Sequence, residues 1–457
     1  GKIHYSSDGL GTGSFEGGVS VSKGRLVYGD YPFPYERTDH YLRGDYSFHG
    51  ASLLLFWERE SFESLKINIP LFDDIILKAG DIPFEANLIS SSLEYSAEFP
   101  RSNRITAGLT GDLSTYSSAM IHKEWPNRWK DRRLDRELHG GAFLQDEYSP
   151  IDKLVVTGGI RNDQYTITRP AWSWRGAVVY LPVKGHSLRG SIGRGFRKPT
   201  FFEGQLIVDL SSIKDPLTRG LLRSFFGEGN FFGNPDLLNE EVTSYELGYM
   251  GRYREALRYS LTLFHDEMVS MINFIFGPSG VPSPPYVVTY NNTPRSSPLY
   301  ANGGELSLDA SLFRYFHGIF SYSLVFNDAS KEVPSLYARR HSVTLGVMAK
   351  IPVRKDMGEN GLSVGALGHY INPEWPGILD TSSPSLGVWK TVRVTGRVLL
   401  SLQARYTFWK NMEAGISAYN IVGGDKFREY AGFTQEGKNY AAEVLPLRLM
   451  AFLSGKF

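Results

Sequence analysis

A period-two alternation of apolar and polar residues recurs along most of the chain, and it limits the fold more than any other sequence feature. In the C-terminal segment, one face carries Leu447, Leu449, Ala451, Leu453, Gly455 and Phe457. Similar apolar series occur in residues 245–249, 257–263, 306–310, 320–326 and 343–347. Residues two apart share one face of a β-strand. The pattern therefore predicts an all-β chain, although alternation alone suits a two-layer sandwich as well as a membrane barrel.

The composition excludes several other classes of protein. The longest unbroken apolar runs, such as residues 53–57, are far shorter than the roughly 18 residues that a membrane-spanning helix needs. A net charge of +1 gives no general attraction to nucleic acid. The absence of Cys removes disulfide scaffolds, thiolate metal sites and cysteine nucleophiles. The 48 Gly and the aromatic content of 14% suit long strands, bends and aromatic rings at membrane interfaces.

The connections between the predicted strands separate the two β architectures. From residue 153 onward they alternate between short and long, which places every long loop at one end of the strands and every tight turn at the other. The short connections are residues 149–152, 182–185, 252–255, 313–316, 352–360 and 409–411, and the long ones are residues 197–240, 277–300, 372–388 and 421–443. Outer-membrane barrels have this arrangement, with short periplasmic turns and long extracellular loops. We therefore predict an all-β, transmembrane antiparallel β-barrel.

The strand count indicates a wide barrel. About thirteen strands fit residues 139–457, and at about 15 residues per strand the opening region holds roughly nine more, for a total of about 22. The whole of residues 1–457 is then one outer-membrane β-barrel domain. A barrel of this width is not filled by its own side chains, so it needs a plug or forms a hole. No plug precedes the barrel in the sequence, and we expect an N-terminal plug domain to be absent from this chain.

Several motifs in the second half of the chain resemble those of a known family. They are Gly193-Arg194-Gly195-Phe196-Arg197-Lys198-Pro199-Thr200, Gly233-Asn234-Pro235-Asp236-Leu237, Ser244-Tyr245-Glu246-Leu247-Gly248-Tyr249, Gln145-Asp146-Glu147-Tyr148-Ser149-Pro150 with Gly159-Ile160-Arg161, and Arg428-Glu429-Tyr430-Ala431-Gly432-Phe433. In type and order they resemble the barrel motifs of TonB-dependent outer-membrane receptors. The resemblance covers residues 140–457, and the first third of the chain matches only in style.

The resemblance implies a 22-stranded barrel in the bacterial outer membrane that takes up a scarce ligand, such as a ferric siderophore, haem or cobalamin. Energy for uptake would come from TonB through a plug domain that is not in this chain. The other implied partners are outer-membrane lipid and the barrel assembly machinery. The terminal Phe457 resembles the assembly signal that this machinery recognises, or it is an apolar last residue packed in a sheet. We expect a transporter and not an enzyme.

The predicted outer loops are rich in aromatic residues with some cationic neighbours. The candidate ligand-binding residues are Trp125, Trp129, Phe201, Phe202, Tyr286, Tyr290, Trp375, Arg428 and Tyr430. Such side chains bind planar or anionic ligands by stacking, cation–π contact and charge-assisted hydrogen bonds. Interface girdles of a barrel use the same residue types, so about half of the set has that competing explanation.

Other chemistries find less support. Haem-uptake members of the resembled family carry a His between their Phe-Arg-x-Pro and Asn-Pro-x-Leu motifs, and no His, Tyr, Met or Cys stands between Phe196 and Asn234. A ferric siderophore or similar metal chelate is thus the leading ligand class. His265-Asp266-Glu267 would point to alternate faces of a strand, which favours a solvated rim over a metal site. No spacing identifies a catalytic set, so we expect no enzyme activity, cofactor or metal.

Two further expectations concern the loops and the alternatives. Pro216, Leu217, Leu221, Leu222 and Phe225 predict a short amphipathic helix that closes the loop between residues 197 and 240, with a role as a lid as the second possibility. A passive plug-free channel is the first alternative function. The second alternative is a soluble all-β binding protein, a propeller or a sandwich, although we find no four-stranded blade repeat.

Overall fold

The computed structural model describes most of the chain. The described residues are 1–7, 11–28, 31–72, 75–81, 84–100, 102–118, 136–204, 216–226, 233–278, 286–312, 315–327, 341–352, 361–372, 377–380, 388–391, 396–409, 412–422, 428–435, 438–444 and 447–455. Everything below concerns these residues.

The described residues form 26 strands and two short helices. The strands before residue 200 are β1 (Lys2–Ser7), β2 (Gly11–Tyr28), β3 (Tyr31–Phe48), β4 (Ala51–Phe72), β5 (Ile75–Asp81), β6 (Phe84–Phe99), β7 (Asn103–Ser118), β8 (Arg136–Ile151), β9 (Leu154–Tyr165), β10 (Ala171–Tyr180) and β11 (His186–Arg197). The helices α1 (Phe201–Gly204) and α2 (Pro216–Phe226) follow. The remaining strands are β12 (Glu240–Tyr253), β13 (Leu257–Val269), β14 (Ile272–Pro278), β15 (Tyr286–Asn292), β16 (Leu299–Leu312), β17 (Phe316–Asn327), β18 (His341–Pro352), β19 (Gly361–Ile371), β20 (Gly377–Asp380), β21 (Val388–Thr391), β22 (Arg397–Trp409), β23 (Met412–Tyr419), β24 (Arg428–Gln435), β25 (Lys438–Val444) and β26 (Arg448–Gly455).

One antiparallel sheet of twenty strands makes up the wall of the molecule. Nineteen of its strands pair with their neighbours in chain order, and β5 pairs with the extended part of β4. The wall order is β1, β2, β3, β4, β6, β7, β8, β9, β10, β11, β12, β13, β16, β17, β18, β19, β22, β23 and β26. Sequential antiparallel pairing over this many strands is the topology of an up-and-down barrel.

The connections confirm the predicted alternation of loop lengths. The turns after β3, β8, β10 and β12 are tight, whereas the connections after β11, β13, β19 and β23 contain helices or additional strands. In the tight turn after β3, His49 and Gly50 both have positive φ angles, 46° and 81°. A type I′ hairpin turn requires this conformation at both central residues. We call the two ends of the wall the short-turn end and the long-loop end, and β26 ends at the short-turn end.

The long-loop end carries elements that the sequence analysis did not separate. β14 pairs with β15 as a hairpin between two wall strands. β20, β21, β24 and β25 form a separate four-stranded sheet, in which β20 and β24 run parallel. The predicted helix is confirmed as α2. No helix among the described residues is long and apolar enough to cross a membrane.

The two faces of the wall differ in polarity as the alternation predicts. On β12 and β13, Leu247, Leu261 and Leu263 are 53%, 43% and 48% exposed and share one face, whereas Ser244 and Glu246 occupy the other. Across the described residues, large exposed hydrophobic side chains are common, but the buried ones are few: Ala171, Phe201, Leu237, Met271, Ile272, Leu299 and Ile371. A sandwich or propeller would collect its apolar side chains in a packed core. The predicted transmembrane β-barrel is confirmed, and the soluble alternative is not supported.

The strand count is approximately consistent with the prediction: it agrees in the second part of the chain and is about three lower in the described residues of the first. The thirteen strands predicted after residue 139 are present. They are the wall strands β8 to β13, β16 to β19, β22, β23 and β26. The opening region contributes six wall strands instead of roughly nine, because β2, β3 and β4 have 18, 18 and 22 residues. Residues 103–118 form the single strand β7. The wall therefore has nineteen strands in the described residues against the predicted total of about 22.

Aromatic and histidine side chains group on the lipid face near both ends of the strands. His265 lies 5.8 Å from the Tyr245 ring and 5.7 Å from the Tyr300 ring, towards the long-loop end. Towards the short-turn end, the Nδ1 atom of His186 lies 2.8 Å from the hydroxyl of Tyr249. Girdles of aromatic residues at both interfaces are typical of membrane barrels. His265 therefore belongs to a girdle, and Asp266 points the other way and accepts a hydrogen bond from Ser244, as predicted for adjacent strand residues.

Candidate functional site

The candidate site is the lumen side of the long-loop end between β7 and β15. It begins where β11 stops at Arg197, because Pro199 has no N–H to continue the ladder. Arg197 donates from Nη1 and Nη2 to the two carboxylate oxygens of Glu203, at 2.8 and 3.0 Å. Its Nε atom donates to Glu240 at the start of β12. One guanidinium thus joins the end of β11 to α1 and to the neighbouring strand.

Thr200 and Glu203 cap the first turn of α1 reciprocally. The Glu203 amide donates to Thr200 Oγ1 at 3.3 Å, and the Thr200 amide donates to Glu203 Oε2 at 2.7 Å. This is a capping box, which satisfies two amides that a helix start leaves free. Burial by itself would raise the pKa of Glu203, but the hydrogen bonds from Arg197 and Thr200 hold that pKa below its ordinary value.

Phe201 fastens the same turn to the barrel wall. Its side chain is 8% exposed and stacks on the ring of Tyr116 on β7, with centroids 4.2 Å apart and planes inclined by 25°. Phe84 on β6 lies 6.4 Å from Phe201 and 6.5 Å from Tyr116. Aromatic pairs in such geometry add to the free energy of simple burial. The turn after β11 is therefore packed across the lumen face of two distant strands.

Lys198 makes a second contact between the segment after β11 and the barrel wall. Its ammonium donates to Glu137 at the start of β8 and lies 5.2 Å from the centroid of the Tyr165 ring. Glu137 is only 4% exposed. A buried carboxylate needs a charged or hydrogen-bonding partner, and Lys198 supplies it.

A polar cluster continues below this contact on β7, β8 and β9. His139 lies between two carboxylates, with Nδ1 2.6 Å from Asp112 Oδ2 and Nε2 2.7 Å from Asp163 Oδ1. Arg161 donates to both oxygens of Asp163 and, from Nη2, to Thr110 at 2.9 Å. Asp163 is 2% exposed, so these contacts replace its hydration. The cluster fixes the register of three strands at the mouth.

Asparagines tie the hairpin of β14 and β15 to the segment before β12. Asn234 donates from Nδ2 to the Tyr290 carbonyl at 2.9 Å. Asn292 accepts the amide hydrogen of Leu238 at 2.7 Å and donates to the Leu238 carbonyl at 3.1 Å. Glu240 accepts from the Ile272 amide at 2.7 Å. These bonds, with those of Arg197, hold one side of the mouth in a single arrangement.

The structure places four of the predicted ligand-binding residues only in part, and a fifth, Tyr290, with its side chain. Phe202 lies in α1, Tyr286 begins β15, and Arg428 and Tyr430 lie on β24, but their side chains are outside the described part of the structure. Tyr290 is half-buried on β15, and burial first and the charge of Glu203 second raise its pKa. Trp125, Trp129, Trp375 and the terminal Phe457 lie outside the described residues. Their roles stay predictions, and Phe201 is described above as a buried packing residue.

The sequence analysis did not identify the cluster of Asp112, His139, Arg161 and Asp163. These residues lie on three strands. Gly141 of β8 pairs opposite both Thr110 of β7 and Asp163 of β9, and this register places the cluster at one height along the strands. The sequence signal was a run of charged side chains at lumen-facing positions of β8 and β9. Among the described residues, no group of three His, Asp or Glu side chains could hold a metal ion.

The fold, the polar lumen and the aromatic girdles define an outer-membrane β-barrel. The sequence model for "TonB dependent receptor-like, beta-barrel" matches residues 4–421. The chain belongs to this family, the TonB-dependent receptors, and its place is the bacterial outer membrane.

Curated relatives and solved structures agree with this assignment. The chain is 25% identical over 155 residues to the iron-regulated outer membrane virulence protein of Vibrio cholerae, a match that covers 34% of this chain and 22% of that protein. A mutant ferric enterobactin receptor, PfeA, from Pseudomonas aeruginosa is 16% identical, with a TM-score of 0.71 over 100% of this chain and 68% of that chain. The siderophore receptor PirA from Acinetobacter baumannii is 14% identical, with a TM-score of 0.70 over 100% of this chain and 70% of its own. At this level of identity the structures share the fold.

Proposed function

We propose that the chain is the barrel of an outer-membrane receptor that takes up a ferric siderophore or a similar anionic metal chelate. The main support is the family membership over residues 4–421 together with a charged, hydrogen-bonded lumen at the long-loop end. The named relatives support the ligand class, because they include an enterobactin receptor, a siderophore receptor and pyoverdine-bound FpvA. Uptake would be driven by TonB, as the family description implies, through a plug domain that is not in this chain.

Eight of the nine outer-loop residues from the sequence analysis, all except the buried Phe201, are the proposed contacts of this ligand. Tyr290 supports the assignment, because its half-buried ring lies on the hairpin that Asn234 fastens above the mouth. Assembly would use Phe457 as the signal for the barrel assembly machinery, with outer-membrane lipid around the wall.

The direct test is uptake of radioactive iron by a receptor-deficient Gram-negative strain that expresses the full-length gene. Catecholate, hydroxamate and carboxylate siderophores are compared in strains with and without TonB, with haem as a ligand of another class. We expect accumulation of one siderophore class that disappears without TonB. Equal accumulation without TonB, together with a large constant conductance in planar bilayers, would instead establish a passive channel.

Substitution of the proposed contacts separates ligand binding from assembly. Tyr290→Ala is expected to weaken siderophore binding by about tenfold, which corresponds to about 1.4 kcal/mol for one lost aromatic contact. Tyr253→Ala, at the short-turn end of β12, is the matched control and should leave binding unchanged. Equal binding by both variants would remove Tyr290 from the proposed site.

A further inference from the structure

Two arginines converge on one carboxylate at the long-loop end of the wall. Arg194 of β11 donates from Nη2 to Glu241 Oε2 at 2.5 Å. Arg295, in the connection between β15 and β16, donates from Nη2 to the same oxygen at 2.6 Å and from Nη1 to Glu241 Oε1 at 3.5 Å. We call Arg194 and Arg295 the arginine pair. Because two guanidinium groups share a single carboxylate, the contact retains an excess of one positive charge.

The strand register places this contact on the lipid face. Arg194 pairs opposite Thr243 of β12. Residues two apart along a strand share one face, so Glu241 and Thr243 lie on the face of Tyr245 and Leu247, which carries the exposed apolar side chains of β12. The contact is therefore outside the lumen, and a domain inside the barrel does not cover it.

The position along β12 is that of a membrane boundary. Glu241 and Tyr253 lie near opposite ends of the lipid face of this strand. The steps from residue 241 to residue 253 span about 40 Å at about 3.3 Å per residue. A strand tilted by about 40° converts this length into about 30 Å along the membrane normal, which is the thickness of the hydrocarbon layer. Glu241 and the arginine pair therefore lie at the outer boundary of that layer.

Exposed aromatic rings border the arginine pair. Trp174 of β10 pairs opposite Arg194 and is 39% exposed, and Trp172, on the same face of β10, is 60% exposed. Tyr245 of β12 is 44% exposed. Tryptophan and tyrosine concentrate at the level of the lipid headgroups, and arginine extends its charged end into the same layer. These neighbours support the depth obtained from the length of β12.

One further carboxylate occupies this part of the lipid face among the described residues. Glu267 of β13 pairs opposite Thr243, which in turn pairs opposite Arg194. A whole strand thus separates Glu267 from Arg194, a distance of about 10 Å at about 4.8 Å per strand. The side chains of Arg194 and Arg295 are 38% and 53% exposed, against 20% for Glu241. The guanidinium groups are therefore more accessible to an external anion than the carboxylate that holds them.

We propose that the arginine pair binds a phosphate group of lipopolysaccharide, the phosphorylated glycolipid of the outer leaflet. A guanidinium presents its N–H donors in a planar fork that matches two phosphate oxygens. Among the described residues, Arg194 contacts a carboxylate only through Nη2, so its Nε and Nη1 donors remain for the phosphate. Long loops mark the extracellular side of a membrane barrel, so the lipid at this end belongs to the outer leaflet. The site goes beyond the proposed uptake function, because it needs neither a siderophore nor TonB.

Native mass spectrometry of the full-length protein in an uncharged detergent tests the site, with diphosphorylated lipid A as the probe. We expect saturable binding of lipid A, and binding at least tenfold weaker for lipid A from which the phosphates have been removed. Inorganic phosphate at millimolar concentration should not displace the lipid, because it lacks the acyl chains that contact the apolar face. Displacement by inorganic phosphate, or equal binding of the two forms of lipid A, overturns the proposal.

Substitutions locate the binding at the arginine pair. The double variant Arg194→Gln and Arg295→Gln should bind lipid A at least tenfold more weakly than the wild type. Lys184→Gln is the matched control, because it removes one exposed positive charge from the turn between β10 and β11 at the short-turn end, and it should bind lipid A as the wild type does. Equal binding by the double variant and the wild type, or a tenfold loss in Lys184→Gln, overturns the proposal.

A third variant separates phosphate binding from a purely structural ion pair. Glu241→Gln removes the competing negative charge and should bind lipid A at least as tightly as the wild type, whereas a structural role for the ion pairs predicts the same loss as in the double variant. That loss overturns the proposal. Circular dichroism verifies that each variant is folded. Iron uptake by cells that express the double variant is measured separately, so failure of the lipid site is distinguishable from failure of the receptor function.

Discussion

Phe201 and Tyr116 stack with ring centroids 4.2 Å apart, and this contact joins the first turn after β11 to the lumen face of β7. Tyr116 lies on β7 and Phe201 lies in α1 just after β11, and the strands β8, β9 and β10 separate β7 from β11 in the wall. The segment that follows β11 therefore ends the strand and also places the ring of Phe201 against the ring of Tyr116 on β7.

Phe201→Ala should destabilise the folded protein by about 3 kcal/mol, because it removes a buried ring and leaves a cavity beside Tyr116. The measurement is urea unfolding in lipid vesicles, followed by tryptophan fluorescence. Phe201→Leu is the control and should cost less, since it fills part of the space. A change below about 1 kcal/mol for the alanine variant would show that the stack contributes little.

Thr200→Ala should destabilise the protein by about 1 kcal/mol, because the Glu203 amide loses its capping oxygen. Thr200→Ser keeps the hydroxyl and should remain within a few tenths of a kcal/mol of the wild type. The same vesicle unfolding experiment compares both variants. Equal stability of the alanine and serine variants would contradict a role for the hydroxyl.

Acid should weaken the attachment of α1 through Glu203. Its pKa in the folded protein is below the ordinary value of 4.5, so its ionised form stabilises the fold. That contribution is fully present above pH 4.5 and is lost as the pH falls through the lower folded-state pKa. Unfolding free energies of the wild type and of Glu203→Gln should therefore converge as the pH is lowered below 4.5. Parallel pH profiles for the two proteins would be inconsistent with the ion pair to Arg197.

The two faces of β12 should differ in how much an introduced charge destabilises the folded protein. Leu247→Arg places a guanidinium on the lipid face and should cost about 2 to 4 kcal/mol near the bilayer midplane. Ser244→Arg places the same group in the lumen and should cost much less, since water and the polar lumen solvate it. Both are measured by unfolding from vesicles of one lipid composition. Similar costs at the two positions would contradict the assignment of the faces.

The fold was largely predictable because two signals were independent of tertiary packing. Side-chain alternation marked the strands of residues 139–457, and connection lengths identified the two ends of the barrel. The first third was overcounted, because strands such as β4 extend beyond the wall and pair with β5 in a hairpin that an average strand length does not anticipate.

The site was less predictable, because its contacts depend on strand register. Arg197, Lys198 and Phe201 stood out in the sequence, but their partners Glu240, Glu137 and Tyr116 are distant along the chain. A one-residue slip between β7 and β8 would turn His139 away from Asp112. No local pattern encodes that register, so the cluster emerged only from the paired strands.

The exposed apolar face of the wall also bears on how such a chain can diverge. Acyl chains around a membrane barrel are fluid and adapt to any hydrocarbon outline, so outward-facing side chains need not fit one another as the side chains of a packed core do. Such positions require apolar character but no particular apolar residue. Related barrels can consequently superimpose with a TM-score of 0.71 while retaining only 16% identical residues.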